Sequence, residues 1–102
     1  MANTTVALVV RLVAKPGREE KLGQFLAGAL PLAQNESFTP VWYALRSSAD
    51  TFWIVDAFAD DGDRSQHLGG DIARALMAHA DELLALPPEI LKADVLAAKL
   101  PG

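Results

Sequence analysis

Two hydrophobic periods alternate along the chain, and their order predicts strand, helix, strand, strand, helix, strand. From Thr5 to Ala14 the β-branched density is high, with Val6, Leu8, Val10 and Leu12 on one face and Val9, Arg11 and Val13 on the other. Apolar side chains on both faces predict a central strand. Lys15-Pro16-Gly17 breaks it, and Arg18, Glu19 and Glu20 open a helix. Within that helix Leu22, Phe25, Leu26, Ala29, Leu30 and Ala33 recur at three- and four-residue spacing. Pro31 removes an amide donor and clashes with the preceding turn, so the helix is expected to kink or end there and fray toward Asn35.

A second strand is predicted from about Thr39 to Arg46, where Pro40 points to an irregular start or an edge position. Ser47 to Asp50 form a turn, and Thr51 to Phe58 return as the other arm of an antiparallel hairpin. Pairing Ser47 with Thr51 sets Trp42 opposite Asp56. Trp42, Ala44, Arg46, Phe52, Ile54, Asp56 and Phe58 then share one face, and Val41, Tyr43, Leu45, Trp53, Val55 and Ala57 the other. A slip of one residue would separate the two strands' sets. Asp60, Asp61 or Asp63 can cap a short helix ending near Leu68, with Gly69-Gly70 as its stop and Asp71 capping the next helix. There Ile72, Leu76, Met77, Ala80, Leu83 and Leu84 form the expected buried stripe, and Pro87-Pro88 the expected end. The last strand is predicted from Ile90 to Leu100 and is a candidate for reaching across to a partner subunit.

This order defines an α+β fold, a ferredoxin-like βαββαβ single domain over residues 1–102, with a four-stranded antiparallel sheet and both helices on one face. The other face is left bare. Each large side chain there, Tyr43, Leu45, Trp53 or Val55, would forgo about 1.5–3 kcal/mol if it stayed in water, so the pattern predicts a homodimer formed sheet to sheet.

The 102 residues are 51% hydrophobic and 22% charged, with a formal net charge of -4, and Lys and Arg are scattered singly. That distribution excludes a phosphate-binding surface, so no nucleic acid partner is expected. The absence of cysteine removes disulfides, thiolate nucleophiles, zinc-thiolate sites and iron–sulfur clusters together, and fits a reducing cytoplasmic setting. The apolar run Val6–Val10 stops at Arg11, lacks a leader's basic start and cleavage site, and is far too short to span a bilayer. Gly62, Gly69 and Gly70 build no phosphate loop, and Ser47, Ser48 and Ser65 lack a nucleophile-elbow context.

Chemistry concentrates on a few side chains. His67 closes the short helix, where the glycines after it let it face the open end of the sheet; its bland alternative is to bond that helix's last carbonyls. His79, at the margin of the second helix, reads as a half-exposed surface residue. With no His-Glu-x-x-His pattern a metal site is not expected, while haem ligation through His67 is left open. Asp56 interrupts an apolar run and must find a partner or shift its pKa: either Arg11 or Arg46 in a structural ion pair, or His67, which it would orient as a base. Trp42, Arg46 and Phe58 on the same mixed face are the candidate substrate-binding residues, since a buried indole N–H needs an acceptor.

Several stretches resemble the antibiotic biosynthesis monooxygenase-like domains, small dimeric α+β barrels, and in particular their quinol monooxygenase-like branch. They are Lys15-Pro16-Gly17-Arg18-Glu19-Glu20, Trp42-Tyr43-Ala44-Leu45-Arg46, Phe58 with His67 nine residues later, and the tail from Leu83-Leu84 through Pro87-Pro88-Glu89-Ile90 to Val95–Leu100. The resemblance implies an oxygenase without cofactor that holds a small aromatic or quinol-type substrate between sheet and helices, and it strengthens His67 as the catalytic base, which the hairpin register would let Asp56 orient. Ile72 stands where the family commonly has a second histidine, five residues after the first. A phenol near pKa 10 facing a histidine near 6.5 is uphill by about 4.8 kcal/mol, so donors such as Arg46 or Trp42 would have to contribute about 1.5–3 kcal/mol each. A non-catalytic dimeric binding protein, or an isomerase or decarboxylase on the same fold, are the alternatives.

Overall fold

The computed structural model describes residues 3–101. Its elements run β1 (Val6–Val13), α1 (Glu19–Gly28), α2 (Leu30–Gln34), β2 (Val41–Arg46), β3 (Thr51–Phe58), α3 (Asp61–Leu68), α4 (Asp71–Leu83) and β4 (Glu89–Asp94). The four strands form one antiparallel sheet in the order β2-β3-β1-β4, the ferredoxin-like arrangement. Pro40 stands just outside β2, which is an edge strand, as a residue without an amide donor requires.

The hairpin register is the one the Ser47–Thr51 pairing gives: Trp42 lies opposite Asp56, and Ser47 N donates to Thr51 O at 3.0 Å. The core forms where Leu8, Val10 and Leu12 of β1 and Phe52, Ile54 and Phe58 of β3 meet Leu22 and Leu26 of α1 and Leu76 and Leu83 of α4. The opposite face carries Tyr43, Val55, Val9 and Leu91 in one continuous cross-strand row.

Element ends depart from the expected positions for local reasons. The first helix breaks at Ala29, and Pro31 sits inside the first turn of α2, where its missing amide costs nothing. Strand β2 starts at Val41, two residues later than Thr39, because Thr39 closes a turn onto Glu36 O (3.0 Å). Asp71 does not cap α4; Gly70 does, and Asp71 is its first residue. That helix stops at Leu83, ahead of Pro87-Pro88, because β1 captures the chain: Leu84 bridges Ala14 and Ala85 N donates to Val13 O. Met77 is turned outward and exposed, apart from the buried Ile72, Leu76 and Leu83. β4 ends at Asp94, not Leu100, since its partner β1 begins at the opposite Val6, with one last bond from Val95 N to Thr5 O at 2.9 Å before the chains part. Beyond it Leu96 is 96% exposed.

Candidate functional site

Asp60 builds the first part of the site. Its carboxylate accepts from Asp63 N at 2.8 Å, capping α3. One turn on, Arg64 donates to the carbonyls of Ala7 (3.3 Å) and Ala93 (3.2 Å) and pairs with Asp61 at 2.7 Å. Arg64 and His67 are three residues apart and share the helix face turned to the sheet, so anchoring one aims the other. His67 is 5% exposed and its ring packs 5.2 Å from that of Phe58.

Both ring nitrogens of His67 meet carboxylates. Nε2 lies 2.9 Å from Asp56 Oδ2, off the direction of a well-aligned hydrogen bond, so that contact is an ion pair. Nδ1 lies 2.6 Å from Glu36 Oε1. The turn after α2 brings Glu36 there: Glu36 N bonds Ala33 O, Thr39 N bonds Glu36 O, and the Thr39 hydroxyl donates to Glu36 Oε1 at 2.8 Å. Burial drives the imidazole toward neutrality, yet the contacts with Asp56 and then Glu36 outweigh it, and His67 holds its proton above the ordinary 6.5. Burial pushes the Asp56 carboxyl above its usual range, against the pull of His67, and the nearby charge of Glu36 adds to the rise.

Of the residues singled out in the sequence, the fold brings Asp56, His67, Phe58 and Trp42 together. Asp56 pairs with neither Arg11 nor Arg46. Trp42 is the cross-strand neighbour of Asp56, and its buried Nε1 has no partner among the described residues, nor has Glu36 Oε2 or Asp56 Oδ1. Trp53 differs, since its indole N–H donates to Ser47 Oγ at 2.7 Å. Glu36, Thr39 and Trp42 line one side of a cavity of about 250 Å³ that Leu30, Ala33, Gln34 and Pro40 complete. Arg46 stands four residues along β2 from Trp42, about 13 Å away. It lies in a separate cavity of about 220 Å³ with Gly23, Ala44 and Phe52, and pairs with Glu20 at 3.2 Å. His79 is exposed and packs against Phe25.

Glu36 and Thr39 were not among the sequence candidates. They sit in a connection with no hydrophobic period, where nothing distinguishes an acid that will be buried from one that stays in water. With both nitrogens of His67 engaged, the ring presents no free lone pair to an iron or to a substrate proton. What the arrangement can do is hold a proton between two carboxylates beside an indole donor, next to an open cavity.

No protein-family model and no curated protein matches the chain. Solved structures do. A protein of unknown function from Nitrosomonas europaea is 56% identical, with 97% of this chain and 96% of that one covered and a TM-score of 0.96. A "putative antibiotic biosynthesis monooxygenase" from the same organism covers 90% of this chain and 99% of its own at 14% identity, TM-score 0.81. Another so described, from Chloroflexus aurantiacus, covers 97% and 100% at 17% identity, TM-score 0.74. The fold is therefore that of the antibiotic biosynthesis monooxygenase-like proteins. Within it, the chain belongs to the same family as the Nitrosomonas europaea protein of unknown function.

Proposed function

We propose that the chain is a cofactor-independent oxygenase that binds a small hydroxylated aromatic compound of quinol type in the cavity beside Trp42 and oxidises it with O2, working as a homodimer. One observation carries this reading: the Asp56–His67–Glu36 row lies buried behind a cavity whose wall Glu36 and Trp42 form, and the Trp42 N–H is unpaired. A hydroxyl can donate to a carboxylate and accept from an indole at once. Asp56 then takes the phenolic proton. At reference values that transfer is uphill by about 8 kcal/mol, but the raised proton affinity of Asp56 narrows the gap from one side. The imidazolium and the Trp42 N–H stabilise the anion from the other. That anion supplies the electrons: one oxygen atom enters the ring, the other leaves as water, and a quinol ends as a hydroxyquinone. Arg46 contributes where a substrate is long enough to reach both cavities. The monooxygenase names carried by fold neighbours support the oxygen chemistry.

The homodimer is supported by the sheet's outer face, where Tyr43 is 58% and Leu45 47% exposed. Oxygen uptake with a panel of hydroquinones and catechols tests the chemistry. Asp56→Asn and Trp42→Phe, which keep shape and remove charge or donor, are each expected to slow it on the order of a hundredfold. Unchanged rates in both, or no uptake by the native protein, remove the reading. The binding-protein alternative draws on the sequestration of His67, and a ligand that raises the melting temperature without consuming oxygen selects it. Product formed under strict anaerobiosis selects an isomerase or decarboxylase.

A further inference from the structure

We infer that this site selects its ligand by charge, taking a neutral hydroxyl compound and turning away an anion of the same size, with Glu36 setting the selection. The inference rests on the ligand-binding half of the proposed function and not on the oxygen chemistry. Its ground is the distribution of charge around one imidazole. His67 faces two carboxylates, Glu36 at 2.6 Å and Asp56 at 2.9 Å, so its single positive charge is consumed twice over. A third negative group entering from the cavity would find no counter-charge.

The neighbouring elements offer none either. Arg46 on β2 pairs with Glu20, Arg64 on α3 with Asp61 and two strand carbonyls, and Arg74 on α4 with Asp71. The N-terminal end of α4 would ordinarily welcome an anion. The protein's own carboxylate already stands beside it, Glu36 Oε2 lying 2.7 Å from where a Cβ on Gly70 would be, so an incoming anion would meet that charge there too. Among the buried side chains of the described residues, one donor stays unpaired, Trp42 Nε1, beside two acceptors, Asp56 and Glu36 Oε2. A carboxylate ligand could satisfy the donor and would be repelled by both acceptors. A hydroxyl satisfies either side.

Glu36 is the residue that tips the count. Without it, one imidazolium would answer one carboxylate, and an anionic ligand would meet a neutral pair. Phenol and benzoate are matched probes, and the indole N–H resonance of Trp42, assigned through Trp42→Phe, reports their arrival. Phenol is expected to shift that resonance, and benzoate to bind weaker by a factor on the order of a hundred at neutral pH. In Glu36→Gln benzoate should come within about tenfold of phenol. Asp56→Asn provides the same test if the first variant does not fold. Equal response to the two probes in the native protein, response to neither, or an undiminished preference in a folded neutralised variant overturns the inference. Failure of every quinol to consume oxygen would sink the oxygenase and leave this measurement standing.

Discussion

Asp56, His67 and Glu36 are held in place by a glycine as much as by one another. A Cβ added at Gly70 would press on Glu36 Oε2 at 2.7 Å and on the His67 carbonyl at 3.2 Å, and the carboxylate is the group that can yield. Gly70→Ala is therefore expected to push Glu36 off His67 and to destabilise the fold by about 1–3 kcal/mol, measured by denaturant unfolding, because a buried ring nitrogen loses its partner. The same row makes stability depend on pH in one direction. The folded-state pKa of His67 is raised, so its contribution is fully present below the ordinary 6.5 and is lost as pH rises through the raised value. Asp56 is raised as well, so its contribution is greatest below 3.8 and is also lost on going up. Melting temperature should thus fall toward alkaline pH, and the fall should begin lower in Asp56→Asn, where His67 keeps one carboxylate. A melting temperature that rises over that range contradicts the placement of both charges. The sequence made Asp56 legible because a carboxylate inside an apolar run has to be answered, and the turn at Ser47–Thr51 made Trp42 its neighbour. Nothing comparable marked Glu36, whose burial depends on a turn closed by Thr39 and on the empty space over Gly70.

Helix α3 is short and polar, and its place depends on its ends. The Asp60 cap and the Arg64 bonds to the carbonyls of Ala7 and Ala93 hold the face that carries His67. Asp60→Ala is expected to cost about 1 kcal/mol in thermal or chemical unfolding. It should also broaden the His67 ring resonances, since the first turn would fray; an unaltered stability would mean that Arg64 alone holds the helix. Strand and helix identities were readable here because each period extends over enough residues to speak for itself, as in β1 and α4. Their ends were not, because ends are set by partners distant in sequence. β4 stops where Val6 leaves Asp94 its last neighbour, and α4 stops where β1 draws Leu84 and Ala85 into the sheet's edge. Pro87-Pro88 punctuates a chain that has already left its helix.

The helices cover one face of the sheet and leave the other to something else. Across that open face Tyr43, Val55, Val9 and Leu91 stand in line, flanked by Leu45 and Trp53, with Leu96 beyond the last strand. Burying side chains of this size returns about 1.5–3 kcal/mol each, so a few of them suffice to hold two copies together. The row is also continuous across all four strands, which suits a flat, self-complementary contact related by a twofold axis. A carboxylate placed at Tyr43 would be buried against the partner's apolar row, with Arg11 beside Val9 two strands away on the same face. Tyr43→Glu is accordingly expected to turn a dimer into a monomer in sedimentation equilibrium at micromolar concentration, while the Trp42 indole, on the opposite face of the same strand, keeps its resonance position. Should the native protein sediment as a monomer, the open face belongs to another partner and the dimer is wrong. Should Tyr43→Glu stay dimeric, two copies meet elsewhere, and the exposed surface of Met77, Leu86 and Ile90 is where the next substitution belongs.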